Sequence, residues 1–386
     1  MLSCIDFVHN AEDTAFVVNG CAGVGKTAMI VELTKALSIT HNTVVASFTN
    51  RVVNNLKTKL HVNQSFSIPT MTLHSLLFSP VYDDDGNFSY LKENTEEEIR
   101  KRITTPFGIE IDQSVLIIDE ASMVSFDMLE KIINKFPGPI LFFGDNHQLP
   151  PVGCEEMNIM ELPNINLKKI CRVKEDNPII QLSTEIRETG KYTRSKYKNL
   201  SEIGFIPKRK VNVEYLKDHQ FDIILCGTNK ERKKMNRIQR IAKGFSPDSP
   251  PQPGEQLIYL DRFRENHRSH IVAVSRTQTH YTREGQAYYD ISLMGESEHI
   301  YVTPEFLHSE EYEDNFLYDE EGDKLKSPKM APVAYAHAMT VHKAIGMEFD
   351  HVLFINDDVS FFLDQKKFTY TGVTRAKESI TIAEKR

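Results

Sequence analysis

The chain has 386 residues, of which 40% are hydrophobic and 26% charged, and its formal net charge is −8. This length allows two or three domains with cores of their own, and the composition is ordinary for a globular protein. No apolar run approaches the ~20 residues that span a bilayer, and we expect no secretory signal and no membrane partner. The negative charge counts mildly against a nucleic-acid binder, although only the contacting face of such a protein must be positive.

The first strong signal in chain order is a phosphate-binding P-loop pattern that is complete from Gly20 to Thr27. It follows an apolar run and precedes a helical pattern, which is the strand–loop–helix context that the motif requires. Lys26 is expected to reach the β- and γ-phosphates of ATP, and the Thr27 hydroxyl to bind Mg²⁺. The predicted nucleotide-binding residues are Gly20, Ala22, Gly23, Val24, Gly25, Lys26, Thr27 and Ala28.

Short β-rich apolar runs alternate with helical stretches along the chain, which predicts an α/β fold with parallel sheets. The runs are residues 15–19, 44–48, 115–118, 140–143, 223–226, 352–355 and 380–382. They fall into two groups, before about residue 150 and after about residue 220. Two P-loop-type domains with ATP between them fit this division.

Two segments interrupt the α/β pattern. Residues 78–90 place aromatic and β-branched residues on both sides of an Asp-Gly turn, which predicts a β-hairpin. Residues 244–328 open with a proline-rich stretch and continue with strand-like pieces at 256–260, 270–275 and 287–293, which predicts a small inserted β domain. The acidic stretch from Ser309 to Asp323 is expected to be a solvated loop.

Two carboxylates follow the apolar run at 115–118. Asp119, at the predicted strand end, can hold the Mg²⁺ of Thr27 through water, and Glu120 can orient and deprotonate the attacking water. An apolar run followed by Asp-Glu is weak evidence alone, since it also describes an exposed acidic strand end. Its position downstream of a P-loop makes it strong evidence.

Gln148 follows another apolar run, in the segment 144–151, and is placed to sense the γ-phosphate. In isolation, a proline-stiffened turn with satisfied polar side chains explains this segment better. Phosphoryl transfer also gains from cationic groups, for which Arg375 and Arg172 are candidates. Surface ion pairs are the usual role of single arginines, so spacing alone does not select these two.

Five segments carry a family resemblance: residues 20–27, 119–123, 144–150, 339–349 and 373–377. In this order they resemble the motifs of the superfamily 1 helicases, in the branch that contains RecD and the phage helicase Dda. The resemblance covers nearly the whole chain. Two positions depart from the family pattern. Ile345 stands where the family usually has glutamine. The family also has a glutamine before the P-loop that reads adenine, but this sequence contains no glutamine before Gln64.

The resemblance implies two RecA-like P-loop domains, with a β-hairpin inserted in the first and a small β-barrel-like domain in the second. The predicted limits are residues 1–170 for the first domain, with the hairpin at 76–95, then 171–244 with 329–386 for the second, and 245–328 for the insertion. Placement of the hairpin and the insertion resembles Dda.

The resemblance also assigns roles by position. Lys26, Glu120, Gln148, Arg172 and Arg375 correspond to catalytic residues, with the two arginines as first and second arginine fingers, and Thr27 and Asp119 correspond to metal-binding residues. Hydroxyl and amide side chains suit phosphates and carry no sequence information. The residues that resemble the DNA-contacting motifs are Thr49, Asn50, Arg51, Thr72, His74, Phe88, Thr340 and His342. Among them, Phe88 corresponds to the aromatic residue at the hairpin tip that splits the duplex.

The implied activity is an ATP- and Mg²⁺-dependent DNA helicase, translocating 5′-to-3′ on single-stranded DNA and separating strands at junctions, in replication or recombination. We expect a monomer, with a single-strand-binding or replication protein as a candidate partner. Scattered cysteines without CxxC pairs indicate a reducing compartment, and resemblance to a phage enzyme implies a bacterial cytoplasm. Two alternatives stay open: a nucleic-acid-stimulated ATPase that displaces bound proteins without unwinding, and a degenerate nucleotide-binding module.

Overall fold

The computed structural model describes most of the chain. The described residues are 1–10, 13–61, 68–82, 88–103, 114–151, 158–167, 177–260, 271–297, 299–309, 315–322, 325, 328, 330–361 and 363–385. They form two compact units. One consists of Met1–Tyr192 with Asp364–Thr374, and the other of Thr193–Leu363 with Arg375–Arg386.

Helices and strands alternate as the apolar runs predict. The helices are α1 (Leu2–His9), α2 (Lys26–Leu37), α3 (Asn50–His61), α4 (Leu73–Leu77), α5 (Glu96–Ile103), α6 (Phe126–Lys135), α7 (Pro178–Thr189), α8 (Arg194–Tyr197), α9 (Val213–Asp218), α10 (Asn229–Ala242), α11 (Pro304–Ser309) and α12 (Gln365–Val373). The strands are β1 (Ala15–Gly20), β2 (Asn42–Ser47), β3 (Thr70–Thr72), β4 (Phe78–Tyr82), β5 (Phe88–Glu93), β6 (Ser114–Asp119), β7 (Ile140–Gly144), β8 (Ile165–Leu167), β9 (Ile203–Pro207), β10 (Ile223–Cys226), β11 (Gln256–Tyr259), β12 (Ile271–Tyr281), β13 (Ala287–Leu293), β14 (His299–Val302), β15 (Val333–Tyr335), β16 (Ala338–Thr340), β17 (Phe349–Asn356) and β18 (Ala376–Glu384).

The first unit is built on a parallel sheet with the strand order β3-β2-β6-β7-β1-β8. Its central strands are continuous apolar runs because helices cover both faces and leave no side exposed to water. On one face Val45 and Ile117 pack with α2 and α3, and on the other Val44 and Leu116 pack with α4, α5 and α6. The sheet is therefore the core that positions the loops at its edges.

The second unit contains a parallel sheet with the order β16-β10-β17-β18-β9. A five-stranded antiparallel sheet, β14-β13-β12-β11-β15, adjoins it in the chain and has its own apolar cluster, which includes Val274, Ile291 and Phe306. The hairpin β4–β5 is also antiparallel. The predicted α/β class, with two parallel sheets, a hairpin and an antiparallel insertion, is thus confirmed. The domain limits and the barrel-like form of the insertion stay predictions.

A buried charged cluster joins α10 to the antiparallel sheet. Arg240 and Glu255 are each 1% exposed, and the guanidinium Nε lies 2.8 Å from the carboxylate Oε1. His337 Nε2 lies 3.1 Å from the same carboxylate oxygen, and the Arg240 guanidinium lies 4.2 Å from the centre of the Tyr335 ring. Each charge has a partner, which is the condition for keeping ionised groups in a protein interior.

Among the described residues, no helix combines the length and the apolar character that crossing a bilayer requires.

Candidate nucleotide and nucleic-acid site

Segments from five neighbouring strands meet at one edge of the first sheet. Because β1, β2, β3, β6 and β7 are parallel, their carboxyl ends lie on the same side. The sequence-predicted segments of the first unit that follow these strands are residues 20–27, 49–51, 72–74, 119–120 and 145–148. The fold therefore brings together candidates that are more than a hundred residues apart in the chain.

The P-loop adopts the conformation that its glycines permit. Gly23 and Gly25 have φ angles of 84° and 83°, in the left-handed region that glycine enters without steric cost. The helix α2 begins at Lys26. The Lys26 ammonium donates to the carbonyl of Gly20 at 2.6 Å and to the carbonyl of Cys21 at 3.3 Å. The loop thus presents a helix N-terminus and a cation at one point, which is the arrangement that binds phosphate.

The adjacent carboxylates lie at the end of β6. Asp119 is buried, and its Oδ1 accepts a hydrogen bond from the Glu120 N–H at 2.9 Å. Burial and the neighbouring Glu120 carboxylate raise the pKa of Asp119, while the Lys26 ammonium lowers it. A divalent cation beside the two carboxylates would favour their charged forms.

Glu120 has an unusual backbone conformation. Its φ is 56°, and among the described residues it is the one non-glycine residue with positive φ. Non-glycine residues pay for this conformation, and such strain concentrates at functional sites. Its Oε2 is buried without a hydrogen-bond partner. One oxygen of this carboxylate is therefore buried and not bonded to any described protein group.

The turn that follows β7 carries Gln148 at the carboxyl edge of the first sheet. Asp145 Oδ1 accepts from the His147 N–H at 3.0 Å, and Asn19 Oδ1 accepts from the Asn146 N–H at 3.0 Å. Gln148 is 3% exposed, and its Oε1 is buried without a partner. The segment is therefore a well-bonded turn that carries an unsatisfied amide oxygen, and not a turn in which each polar side chain is satisfied.

Six buried polar atoms without partners in the described structure cluster at this edge. They are Ser47 Oγ, Asn50 Nδ2, Glu120 Oε2, Ser122 Oγ, Asn146 Oδ1 and Gln148 Oε1. Leaving one such atom unpaired costs about 1–3 kcal/mol, so their concentration at one place indicates a site where water or a ligand supplies the missing partners. Sequence reasoning missed Ser47, because a single serine carries no local signal, and it gave Ser122 no role although this residue lies in the family-like segment 119–123.

The residues at this edge fit Mg²⁺. No cluster of three or more histidine, cysteine, aspartate or glutamate side chains suited to a metal occurs in the part of the chain that the structure describes. Mg²⁺ in nucleotide sites needs only one or two protein oxygens, because phosphates and waters supply the others. The Thr27 hydroxyl at the start of α2 and the buried Asp119 carboxylate offer such oxygens.

Tyr370 and Thr371 of α12 also reach this site, and sequence reasoning missed both. The Tyr370 hydroxyl accepts from the Ala22 N–H of the P-loop at 3.1 Å, and Thr371 Oγ1 accepts from the Leu149 N–H at 3.0 Å. The one available signal was their proximity in sequence to Arg375.

The candidate DNA-contacting residues of the first unit lie at the starts of two helices. Thr49 Oγ1 accepts from the Val52 N–H at 3.4 Å beside α3, and Asn50 and Arg51 open that helix. Thr72 Oγ1 accepts from the Ser75 N–H at 3.0 Å and so caps α4. The His74 ring lies 5.3 Å from the Phe48 ring.

The second unit holds three predicted residues. Thr340 ends β16, and its hydroxyl accepts from the Lys343 N–H at 3.4 Å. His342 is half-buried in the following turn, in which Ile345 is buried. The Arg375 guanidinium, 4% exposed, donates to the Met347 carbonyl at 3.2 Å. Arg172 and the side chain of Phe88 lie outside the described residues.

Comparisons with known proteins agree with this architecture. A family model described as AAA domain matches residues 3–208, and one described as UvrD-like helicase C-terminal domain matches residues 335–383. An uncharacterised protein of Acanthamoeba polyphaga mimivirus is 30% identical over 175 residues, and the match covers 42% of this chain and 34% of that protein. The chain thus spans about a third of the length of that curated relative.

Solved helicase structures have a similar fold. The Bacteroides Pif1 helicase, solved with ADP-AlF3 and single-stranded DNA, gives a TM-score of 0.57 at 20% identity, covering 99% of this chain and 91% of that one. A structure of two coordinating Pif1 helicases at forked double-stranded DNA gives 0.56 at 18% identity, covering 99% and 90%. At these identities the likeness shows a shared fold.

The AAA domain match spans more than half of the chain and contains the P-loop, both carboxylates and Gln148. This protein therefore belongs to the AAA domain family, with a complete P-loop and a fold that it shares with the solved Pif1 helicase structures.

Proposed function

We propose that this protein is an ATP-dependent DNA helicase, which translocates 5′-to-3′ on single-stranded DNA and separates duplex strands, with a layout similar to Dda. The observation that carries the proposal is the cluster of unpartnered polar atoms around the P-loop, at the carboxyl edge of the first sheet. Such an edge is where open parallel sheets bind their ligands. Two carboxylates, an amide and a cation meet there, as ATP hydrolysis requires.

Each residue has a defined task in hydrolysis. Lys26 binds the β- and γ-phosphates beside the N-terminus of α2. Thr27 and, through water, Asp119 would hold Mg²⁺, which when bound would supply positive charge against the phosphate oxygens. Glu120 orients the attacking water and accepts its proton, since one oxygen of this carboxylate has no protein partner.

Gln148 and two arginines complete the proposed machinery. The unpartnered Gln148 amide oxygen belongs to a side chain in the turn after β7, where we propose that it responds to the γ-phosphate. Arg172 and Arg375 are the cationic groups that we assign to the charge developing on the transferred phosphate, because phosphoryl transfer depends on such neutralisation.

The DNA assignment rests on the shared fold and on side-chain chemistry. The two Pif1 structures above were solved with, or describe, single-stranded DNA and forked double-stranded DNA. We assign phosphate contacts to Thr49, Asn50 and Arg51, together with Thr72, His74, Thr340 and His342. Phe88 is the proposed aromatic wedge, since stacking on bases is tolerant of sequence.

The proposed setting follows from the same reasoning. We propose a monomer that acts in a cytoplasm, on single strands and at single-strand/duplex junctions, alongside a single-strand-binding or replication protein.

The deciding experiment compares ATP turnover with strand displacement. ATP hydrolysis is measured with and without single-stranded DNA, and displacement is measured on duplexes with a 5′ tail or a 3′ tail. We expect DNA-stimulated hydrolysis, and displacement from the 5′-tailed duplex alone. Displacement from the 3′ tail would contradict the polarity.

A third substrate tests the alternative activity. It carries a tightly bound blocking protein on a single strand. DNA-stimulated hydrolysis that removes this protein without displacing a strand from either duplex would replace the helicase proposal with a protein-displacing translocase. Absence of ATP turnover would contradict both.

A further inference from the structure

A single tyrosine hydroxyl connects two loops of the nucleotide site. Tyr370 of α12 is 1% exposed. Its hydroxyl accepts the Ala22 N–H of the P-loop at 3.1 Å and donates to Asp145 Oδ2, after β7, at 2.8 Å. Tyr370 is 348 positions from Ala22 and 225 positions from Asp145 in the chain, but all three residues lie in the same compact unit.

The chemistry of the phenol fixes the direction of both hydrogen bonds. A phenol has one proton to donate and can also accept. The hydroxyl donates its one proton to the hydrogen bond with Asp145, so the Ala22 N–H donates to a lone pair of the hydroxyl oxygen. Burial and the Asp145 carboxylate raise the pKa of Tyr370, so the group remains a donor. Each polar atom of this three-membered chain is therefore satisfied.

Further contacts hold the helix that carries Tyr370. The neighbouring Thr371 hydroxyl accepts the Leu149 N–H at 3.0 Å, directly after Gln148. The His147 ring lies 6.0 Å from the Tyr370 ring, in an edge-to-face arrangement. On its other side α12 packs against α7. The helix α12 is thus bonded to the P-loop and to both sides of the turn that carries Gln148.

We propose that Tyr370 is a positioning residue that sets the affinity of the site for adenine nucleotides, by holding the P-loop and the Gln148 turn in one fixed arrangement. The inference rests on the ATP site proposed above. The Ala22 N–H and the Asp145 carboxylate are ordered by the hydroxyl before nucleotide binds. Without the hydroxyl, nucleotide binding must also order the P-loop, and this cost in free energy weakens the observed affinity.

The test is Tyr370→Phe, which removes one oxygen and keeps the ring. One net hydrogen bond corresponds to about a fivefold change in an equilibrium constant, so we expect Kd for ADP and KM for ATP each to rise about fivefold. The value of kcat should change less than about twofold, since the hydroxyl does not touch the reacting atoms and the Thr371 hydroxyl still holds the Gln148 turn through the Leu149 N–H. Kd is measured by titration of a fluorescent ADP analogue and by isothermal calorimetry.

The matched control is Tyr289→Phe. Tyr289 is also buried, at 5% exposed, but lies in β13 of the antiparallel sheet. We expect this variant to bind ADP like the wild type. If Tyr370→Phe melts at a lower temperature yet binds ADP with wild-type affinity, the hydroxyl is a packing feature and the proposal is wrong.

A second variant keeps the proposal testable if Tyr370→Phe folds poorly. Asp145→Asn retains an oxygen acceptor but removes the charge from the same hydrogen bond. We expect weaker ADP binding from Asp145→Asn alone, and wild-type affinity in this variant would overturn the proposal. Where Tyr370→Phe folds, adding Asp145→Asn to it should cause no further weakening, because the hydrogen bond between the two residues is already absent. Additive effects would also overturn the proposal. A wild-type protein that does not bind ADP would instead overturn the proposed function itself.

Discussion

Ser47 and Asp119 are register partners at the ends of the neighbouring parallel strands β2 and β6. Both side chains are buried. Side chains two positions apart in a strand share a face, so Ser47 and Asp119 lie on the α2 side of the sheet, as Val45 and Ile117 do. The Ser47 hydroxyl has no hydrogen-bond partner among the described residues.

Ser47→Ala removes this unpartnered hydroxyl. We expect the unfolding midpoint without nucleotide to stay the same or rise, because burying the hydroxyl unpaired is a cost. In the presence of ADP, the Mg²⁺ concentration that gives half of the maximal rise in melting temperature should increase about fivefold, because the hydroxyl lies beside the carboxylate that we propose as the metal ligand. Thermal melting across a Mg²⁺ series measures both. Ser38→Ala, at the opposite end of α2, is the control. Unchanged Mg²⁺ dependence would contradict this role.

Lys26→Ala tests the P-loop directly. Removing the cation that we propose binds the phosphates should lower kcat for ATP at least about 100-fold. Steady-state phosphate release measures the loss. Lys35→Ala is the control, because Lys35 is in the same helix and pairs with Glu32 at 2.7 Å. Near-full turnover by the Lys26 variant would refute the site.

Glu120→Gln separates binding from chemistry. The amide keeps the shape of the side chain but cannot accept a proton, so we expect kcat to fall about 100- to 10,000-fold. Kd for ADP should stay within about twofold, since Glu120 is not assigned a nucleotide contact. Glu32→Gln, on the exposed part of α2, should leave both quantities unchanged. Retained turnover in the Glu120 variant would remove this residue from the mechanism.

Phe88→Ala tests the hairpin as a strand-separating element. Phe88 opens β5 next to the predicted turn, and we expect its loss to reduce strand displacement more than DNA-stimulated ATP hydrolysis. The two rates are measured on the same 5′-tailed duplex. Tyr90→Ala is the control, because Tyr90 is 57% exposed on the same strand. Equal loss of both activities in the Phe88 variant would mean that the hairpin is structural.

The cluster of Arg240, Glu255 and His337 predicts loss of stability in mild acid. Burial lowers the pKa of His337 below its ordinary 6.5. Burial raises the pKa of Glu255, but hydrogen bonds from His337 and Arg240 outweigh it and hold the pKa below 4.5. Both groups therefore bind more protons in the unfolded chain than in the folded one. The stabilisation from neutral His337 is present above about pH 6.5, and that from ionised Glu255 above about pH 4.5. Each contribution is lost as the pH falls through the folded-state pKa of its own group.

Urea unfolding at about pH 7.5 and about pH 5.5 measures this dependence. We expect a lower midpoint at the acidic pH. His337→Gln keeps a donor for Glu255 but cannot titrate in this range, so its midpoint should fall less between the two conditions. A wild-type midpoint that rises on acidification, or an identical fall in the variant, would contradict the assignment.

Much of this site was accessible from the sequence because its chemistry is local. The P-loop needs three glycines, a lysine and a threonine in one short run, since consecutive backbone N–H groups bind the phosphates. The carboxylates Asp119 and Glu120 follow a buried apolar strand for the same reason. Alternating runs likewise predicted the parallel sheets, because a strand covered on both faces must be apolar throughout.

The sequence could not predict Tyr370 as a partner of Ala22, or Ser47 as a neighbour of Asp119. A serine or a tyrosine alone looks like any surface or core residue, and its role depends on which strand or helix it meets. The pairing of Glu255 with Arg240 and His337 was hidden in the same way.

By itself, then, the order of residues determined an α/β protein with a P-loop and a helicase-like set of motifs, because phosphate-binding loops and strands are encoded by contiguous residues. Only the tertiary structure decided which distant side chains support those motifs, because a hydroxyl 348 positions away becomes a partner of the P-loop only when the chain has packed.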